Sequence, residues 1–374
     1  MAVGIVTYTN APALTIDLFE GDWSVELART DAAGTPIYWK TADITVNDIL
    51  IVHLGDSYSS GEGAPDRSAA AGYWGDDGTG ANGSHAAAHR SSNTWGSIFA
   101  QQLEPFAQLL GGGSVTYVNL AVSGSLIDDV SDQLNQLDAI KGSRQVDFLL
   151  ISIGGNDAGF SSAIAAYLLR EPILGGYGLL GPSLTDIDDA IQTGDWTGGS
   201  FTDVGSVLVE MFDWALPHRF TNVRGLDGLA AGYNQLAGQF TAHGIAAGNV
   251  YILQYPDPLV PNPSHPADVC PDAILTSVAS FLGRRLEIEP GEQHHVRSHL
   301  IAPLNQQIAA SAAQAGWKTI DAENVMYGHP ICSDSRMVLR FQESHDVQGD
   351  ERGTLHPNRK GYAAIAERLW QTIH

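Results

Sequence analysis

Lysine is almost missing from this 374-residue chain; Lys40, Lys141, Lys318 and Lys360 are the only four. Lysine and arginine together number 19 against 42 acidic residues, leaving a formal net charge of −23. Such a surface repels phosphate backbones and anionic bilayers at long range, which sets aside nucleic acid as a partner. Cysteine is nearly as scarce. Cys270 and Cys332 either close one disulfide between long loops, which implies an oxidising compartment, or stand as two thiols. No Cys/His spacing suits zinc, so neither a metal nor any other cofactor is expected. Long apolar runs are absent as well. The most apolar stretch, 163–182, is interrupted by Arg170, Glu171 and Pro172, so no transmembrane segment is expected. The N-terminus has neither the basic start nor the apolar core of a signal peptide, and a secreted or extracellular protein would have had its signal removed. Internal repeats and low-complexity tracts are also lacking.

What is present is a loop-rich chain with 41 Gly and 17 Pro and a hydrophobic fraction of 44%, enough for a sizeable core. Residues 1–48 read as short β segments: ALTIDLF, WSVELA and IYWKTADITV, punctuated by Pro, Gly and Asn-Asp. They form an N-terminal β segment or small accessory region. From residue 49 the character changes, and 49–374 reads as the main domain. ILIVHL (49–54) is a buried strand. VTYVNLA (115–121), VDFLLISIG (146–154), NVYILQYP (249–256) and WKTID (317–321) follow it. Helical patterns occupy 94–110, 126–140, 228–243, 299–316 and 358–373. Strands alternating with helices predict an α/β fold whose parallel sheet is covered on both faces. Sites in such sheets form beyond the carboxyl ends of the strands.

Four clusters fall at those ends. GDSYSSGEG (55–63) presents Ser57, although Gly-Asp-Ser is also a common turn or cap. NLAVSGS (119–125) presents Gly124, whose N–H no side chain obstructs; it is equally a tight turn. IGGNDAGF (153–160) presents Asn156, or an Asn-Asp cap. GTLHPNRKGY (353–362) presents His356 before the last helix, where Pro357 suits the first turn. A serine nucleophile needs a base, and the oxyanion it creates needs fixed donors. Ser, Gly, Asn and His in this order and context supply both.

The pattern resembles the SGNH (GDSL-type) hydrolase family over roughly residues 49–374. The resemblance implies a flavodoxin-like three-layer α/β/α sandwich and hydrolysis of carboxylic esters or amides. It assigns Ser57 as nucleophile and His356 as base. The Ser57 N–H, the Gly124 N–H and the Asn156 side chain become the oxyanion hole. Asp56 and Asp157 match family positions and are expected to hold loops. AHRSSNTW (88–95), YPDP (255–258) and GHPIC (328–332) resemble the actinobacterial lipase and phospholipase branch. Ala88 stands where that branch has a cysteine, while Cys270 and Cys332 could retain a later disulfide. Many members carry Asp three residues before the His; here that position is Gly353. Asp350 or Glu351 could swing in as third member, or the Thr354 backbone carbonyl could accept the His356 N–H. The carbonyl is the favoured expectation.

The expected substrate is a small-molecule or lipid ester, cleaved by a lipase, phospholipase or general carboxylesterase. The apolar segments 160–182 and 201–217 would line an acyl pocket, form a lid, or simply add core helices. The alternative is a carbohydrate esterase acting on an acylated glycan, with Trp23, Trp39, Trp74 and Trp95 stacking on sugars. A binding module on an inactivated hydrolase scaffold fits poorly, because all four positions are filled. GDDGTG (75–80) reads as a solvated acidic turn, with Ca²⁺ ligation as its alternative.

Overall fold

The computed structural model describes residues 21–67, 88–109, 113–169, 182–196, 223–265, 267–270, 273–274 and 287–374. The readings placed on ALTIDLF, Trp74, GDDGTG, residues 170–181 and 201–217 lie outside the described residues.

Five strands form one parallel sheet: β3 (Asp48–Gly55), β4 (Ser114–Asn119), β5 (Phe148–Ser152), β6 (Val250–Leu253) and β9 (Lys318–Ile320). Its order is β4-β3-β5-β6-β9, all pairs parallel. Numbered by their order in the chain, the strands run 2-1-3-4-5, the flavodoxin-like arrangement. The register sets Ile51 between Tyr117 of β4 and Phe148 of β5. The apolar runs follow from this position. Leu50, Ile51, Val52, Leu54, Leu149, Leu150, Ile151 and all of β6 are buried, as strands covered on both faces must be.

Helices flank the sheet, and the fold is a three-layer α/β/α sandwich. On α2 (Trp95–Leu109), Phe99 meets Phe148 of β5 and Trp370 of α10 (Arg359–Ile373). Helix α3 (Val130–Lys141) buries Val130, Gln133, Leu134 and Leu137. Helix α6 (Gly225–Ala242) packs on α8 (Ala302–Ala315) and on α5 (Leu184–Thr193). Every helical pattern read from the sequence has its counterpart.

One boundary differs. The helix expected from 299 begins nine positions earlier, as α7 (Pro290–Val296), and runs through a π turn (Arg297–Ile301) into α8. Val296, Leu300, Leu304 and Ile308 are its buried stripe. The polar GEQHHV ahead of that stripe offered no apolar period to read. The helical start is marked instead by Pro290 at its first position and by Glu292 accepting from the Glu289 N–H at 3.0 Å.

Ahead of the sheet, β1 (Gly21–Thr30) and β2 (Pro36–Val46) make a separate antiparallel hairpin, in line with the β reading of WSVELA and IYWKTADITV. The Asp31 carboxylate closes its turn by accepting from the Ala33 and Thr35 N–H groups. Helix α4 (Phe160–Leu169) buries Ala163, Ile164, Ala166 and Tyr167, so this described part of the insertion is a packed helix. Cys270 and Cys332 are joined in a disulfide, the first of the two sequence readings. Two short strands, β7 (Ala273–Ile274) and β8 (Glu287–Ile288), pair nearby.

Candidate active site

Strand β3 ends at Gly55, whose φ of 113° and lack of a side chain are both required. A Cβ there would lie 2.0 Å from the Ser152 carbonyl oxygen. The chain then turns into the single helical turn α1 (Ser57–Ser60). Asp56 caps it by accepting the Tyr58 N–H at 3.0 Å. Ser57 is thereby the first helical residue, at the carboxyl edge of the sheet, and 8% exposed.

The opposite side of the crevice comes from the segment before α10. Helix α9 (Phe341–Gln348) leads into a chain of turns: Thr354 N–H to Glu351 O, then His356 N–H to Gly353 O, both 2.9 Å. Leu355 takes a left-handed φ of 64°, which costs a non-glycine residue about 1–2 kcal/mol. Tyr58 holds it there by donating to the Leu355 carbonyl at 3.0 Å.

These turns bring His356 Nε2 to 2.8 Å from Ser57 Oγ. On the other side of the ring, Nδ1 is 3.1 Å from the Thr354 carbonyl oxygen. A carbonyl can only accept, so Nδ1 carries the proton and Nε2 is free to accept from the hydroxyl. The imidazole is held below its usual pKa, chiefly by burial, with the Glu62 charge and the Thr354 bond opposing. A neutral ring results, which is the form that can take a proton from an attacking hydroxyl.

The other two predicted positions are tied to each other. Gly124 has a φ of 85°, in a turn anchored by Val122 N–H to Gly55 O and by Ser123 N–H to Ala88 O, each 3.0 Å. The Asn156 amide donates to the Ser125 carbonyl at 2.9 Å, leaving its second N–H for another acceptor. Arg90, from the His-Arg-Ser segment, braces the same loop through the Ala121 and Leu120 carbonyls at 2.8 and 3.1 Å.

Neither acidic candidate for third member stands behind His356, where Thr354 already occupies Nδ1. Asp350 accepts from Gln348 Nε2 at 2.6 Å and from the Arg352 N–H at 3.0 Å. Glu351 enters the region through its backbone carbonyl, which accepts the Thr354 hydroxyl at 2.6 Å.

The two aspartates of the family pattern brace loops. Asp56 also receives the Ser152 hydroxyl at 2.6 Å and the Tyr255 hydroxyl. Tyr255 in turn accepts the Gly155 N–H at 3.0 Å, which connects the Ser57 turn to the Asn156 loop. Burial pushes the Asp56 carboxyl up to about 6 against these hydrogen bonds. Asp157 accepts the Ile127 N–H at 3.0 Å, and burial pushes it up to about 7 despite Arg224.

Four residues around the site were given no role by the sequence reading. Gln133 bridges Gly55 N–H (2.7 Å), Gly55 O (2.9 Å) and the Ser125 hydroxyl (3.1 Å). Glu62, His89 and Gln348 form a buried cluster joined by hydrogen bonds. Conversely, Trp95 is fully buried and donates to the Tyr58 carbonyl at 3.0 Å, so it cannot stack on a sugar.

Among the described residues, two groups could bring three metal-ligating side chains together: Glu62, His89 and Asp350, and Asp188, His295 and His299. In the first, Glu62 is already taken up by His89, Ser123 and Gln348. In the second, the two imidazoles stack at 3.9 Å with 11° between planes, so their lone pairs run side by side instead of converging. His295 Nε2 is also bonded to Asp188 at 2.6 Å.

With this geometry in place, residues 51–172 match the family profile described as GDSL-like Lipase/Acylhydrolase. Over these residues the chain is similar to GDSL-type hydrolases. The matched segment holds Ser57, Gly124 and Asn156 and stops before His356, which only the fold brings to Ser57. No curated protein matches the sequence. Similar solved structures include a phospholipase A1 from Streptomyces albidoflavus NA297, at 20% identity over 86% of this chain and 98% of that one (TM-score 0.47). An extracellular lipase from Streptomyces rimosus is 19% identical over 87% and 99% (TM-score 0.48). An acetyl xylan esterase, AlAXEase, is 10% identical over 87% and 100% (TM-score 0.36). These values assign no substrate to this chain.

Proposed function

We propose that this GDSL-type hydrolase cleaves carboxylic esters through an acyl-enzyme on Ser57, with residues 49–374 as the hydrolase domain and 1–48 as an accessory segment. The reading is carried by one observation: Ser57 Oγ sits 2.8 Å from a His356 Nε2 whose ring is oriented by the Thr354 carbonyl at Nδ1. In the first half-reaction the hydroxyl attacks the ester carbonyl carbon as its proton passes to Nε2. The oxyanion is met by the Ser57 N–H, an unbonded donor of the first helical turn, by the Gly124 N–H and by the free Asn156 N–H. The C–O bond to the alcohol breaks, and the imidazolium returns the proton to that leaving oxygen. Water then attacks the acyl carbonyl carbon as its proton passes to Nε2, the bond from that carbon to Ser57 Oγ breaks, and the imidazolium returns the proton to Oγ, releasing the acid and restoring the serine.

The Thr354 carbonyl orients the ring but bears no full charge, so it stabilises imidazolium less than a carboxylate would. A lipid-type acyl ester is the favoured substrate class. An acylated glycan is less well supported, because Trp95 is sealed in the core and Trp23 is half-buried on the hairpin. The disulfide suits a secreted protein, and among the described residues no helix is long and apolar enough to cross a membrane.

A panel of p-nitrophenyl esters from acetate to palmitate, run beside Ser57→Ala, tests the proposal. The wild type should hydrolyse the longer esters and react with a fluorophosphonate at Ser57. The Ser57→Ala protein should lose at least about a thousandfold in kcat. Hydrolysis confined to acetate would remove the acyl-chain reading; unchanged Ser57→Ala activity would remove the mechanism.

A further inference from the structure

His356 lacks a carboxylate directly behind it, and the packing shows why. Gly353, where many family members carry Asp, is buried. A Cβ there would fall 2.8 Å from Ser344 Oγ and 2.9 Å from Gln348 Oε1. The Gln348 amide is locked at both ends. Its oxygen accepts the Gly63 N–H at 2.7 Å, and its nitrogen donates to Glu62 at 2.5 Å and to Asp350 at 2.6 Å. The space beside Gly353 therefore belongs to a side chain that reports to a different acid.

That acid, Glu62, is fully buried. His89 Nδ1 lies 2.9 Å from each of its oxygens, the Ser123 hydroxyl donates to it, and Tyr362 holds its backbone carbonyl at 2.8 Å. Each partner belongs to a different part of the site. Glu62 follows the Ser57 turn. Ser123 precedes Gly124. Gln348 begins the segment that ends at His356. The backbone next to Glu62 also abuts the base directly: a Cβ on Gly63 would sit 2.8 Å from the Pro357 carbonyl and 3.4 Å from His356 Cβ.

We propose that Glu62 is a positioning residue for His356, a buried anion that clasps the nucleophile, oxyanion and base segments together and stands in for the missing acidic neighbour. This rests on the ester-hydrolase reading above. Burial alone would push the Glu62 carboxyl up, but the His89 bond and charge, the His356 charge and the Ser123 bond outweigh it and hold the group near 2, ionised throughout the working range. Its charge favours imidazolium. The groups acting on His356 are Glu62, Asp350 and the Thr354 carbonyl, which favour the charged ring, and burial and His89, which oppose it. Tyr58 covers one face of the ring, at 5.0 Å between centroids.

The test is NMR titration of the His356 imidazole in the full chain, for the wild type, Glu62→Gln and Glu62→Asp, beside p-nitrophenyl ester kinetics. In Glu62→Gln the His356 pKa should drop by about 0.5 unit or more. The acid limb of kcat/KM should follow it downward in pH, and kcat should fall about tenfold with KM little changed. Glu62→Asp should recover most of the pKa. A part in packing alone would lower activity and leave the His356 pKa where it was, and that result overturns the proposal. So does a Glu62→Gln protein with wild-type pKa and kcat. The titration reads His356 without turnover, so it stands even if no ester is hydrolysed; Ser57→Ala with undiminished activity would instead sink the ester-hydrolase reading.

Discussion

Ser57 Oγ and His356 Nε2 lie 2.8 Å apart although 299 positions separate them in the chain. The contact exists because β3 delivers the serine to the carboxyl edge of the sheet and the start of α10 returns the imidazole to the same edge. Tyr362 on α10 strengthens the junction: its hydroxyl donates to the Glu62 carbonyl at 2.8 Å and reaches the Ser57 carbonyl at 3.4 Å.

Asp350→Ala and Glu351→Ala should each keep activity within about tenfold of wild type, since neither carboxylate bonds to His356 Nδ1. Steady-state kinetics on a p-nitrophenyl ester checks this. A thousandfold loss in either variant would mean that a carboxylate swings in during turnover.

The pH dependence of kcat/KM should show an acid limb below the ordinary histidine range. The base must be neutral to accept the Ser57 proton, and burial lowers the pKa of His356. Activity should therefore persist at pH values where an exposed histidine is mostly charged. A limb centred above 6.5 would contradict the burial of the ring.

Asp56 and Asp157 should each withdraw folding stability as pH rises from about 4 to about 7, opposed below about 6.5 by His53 and His356, whose values burial lowers. Asp56 and Asp157 have folded pKa values near 6 and 7 against an ordinary 3.8, so in this window the folded protein retains protons that the unfolded chain has released. Glu62 acts oppositely and lower down. Its folded value near 2 lies below the ordinary 4.5, so its contribution is present above about 4.5 and is lost as pH falls toward 2. Asp157→Asn, which keeps an oxygen for the Ile127 N–H, should remove one falling contribution to the melting temperature between about pH 4 and pH 7; an unaltered slope would show that Asp157 does not titrate with folding.

Reducing the Cys270–Cys332 bond, or replacing both by serine, should lower the melting temperature. The bond closes a loop with a sequence separation of 62, for which chain entropy alone predicts about 4 kcal/mol. Thermal unfolding with and without reductant measures it. Identical curves would mean that the unfolded chain loses nothing when the bond is cut.

The sheet was legible because parallel strands buried on both faces must be apolar along their whole length, and ILIVHL and FLLIS have no other home in water. Ser57, Gly124, Asn156 and His356 could be picked out as candidates because each follows a strand or precedes a helix at the one edge where such folds build sites. The start of α7 was not legible, because the residues its first turn buries, Glu292 and Gln293, are polar and leave no apolar period to read. Glu62, His89, Gln133 and Gln348 were not either. A buried glutamate and an exposed one are the same letter, and only its neighbours decide which it is.

The linear chain by itself determined the strands' order of appearance and the residue types offered as nucleophile and base. Tertiary structure alone decided that a carbonyl stands behind His356, that Gln348 fills the space beside Gly353, and that the two cysteines meet. Hydrophobic burial is local enough to leave a periodic trace in sequence. Hydrogen bonds and ion pairs between distant loops are set by ångström-scale distances, and sequence spacing does not carry them.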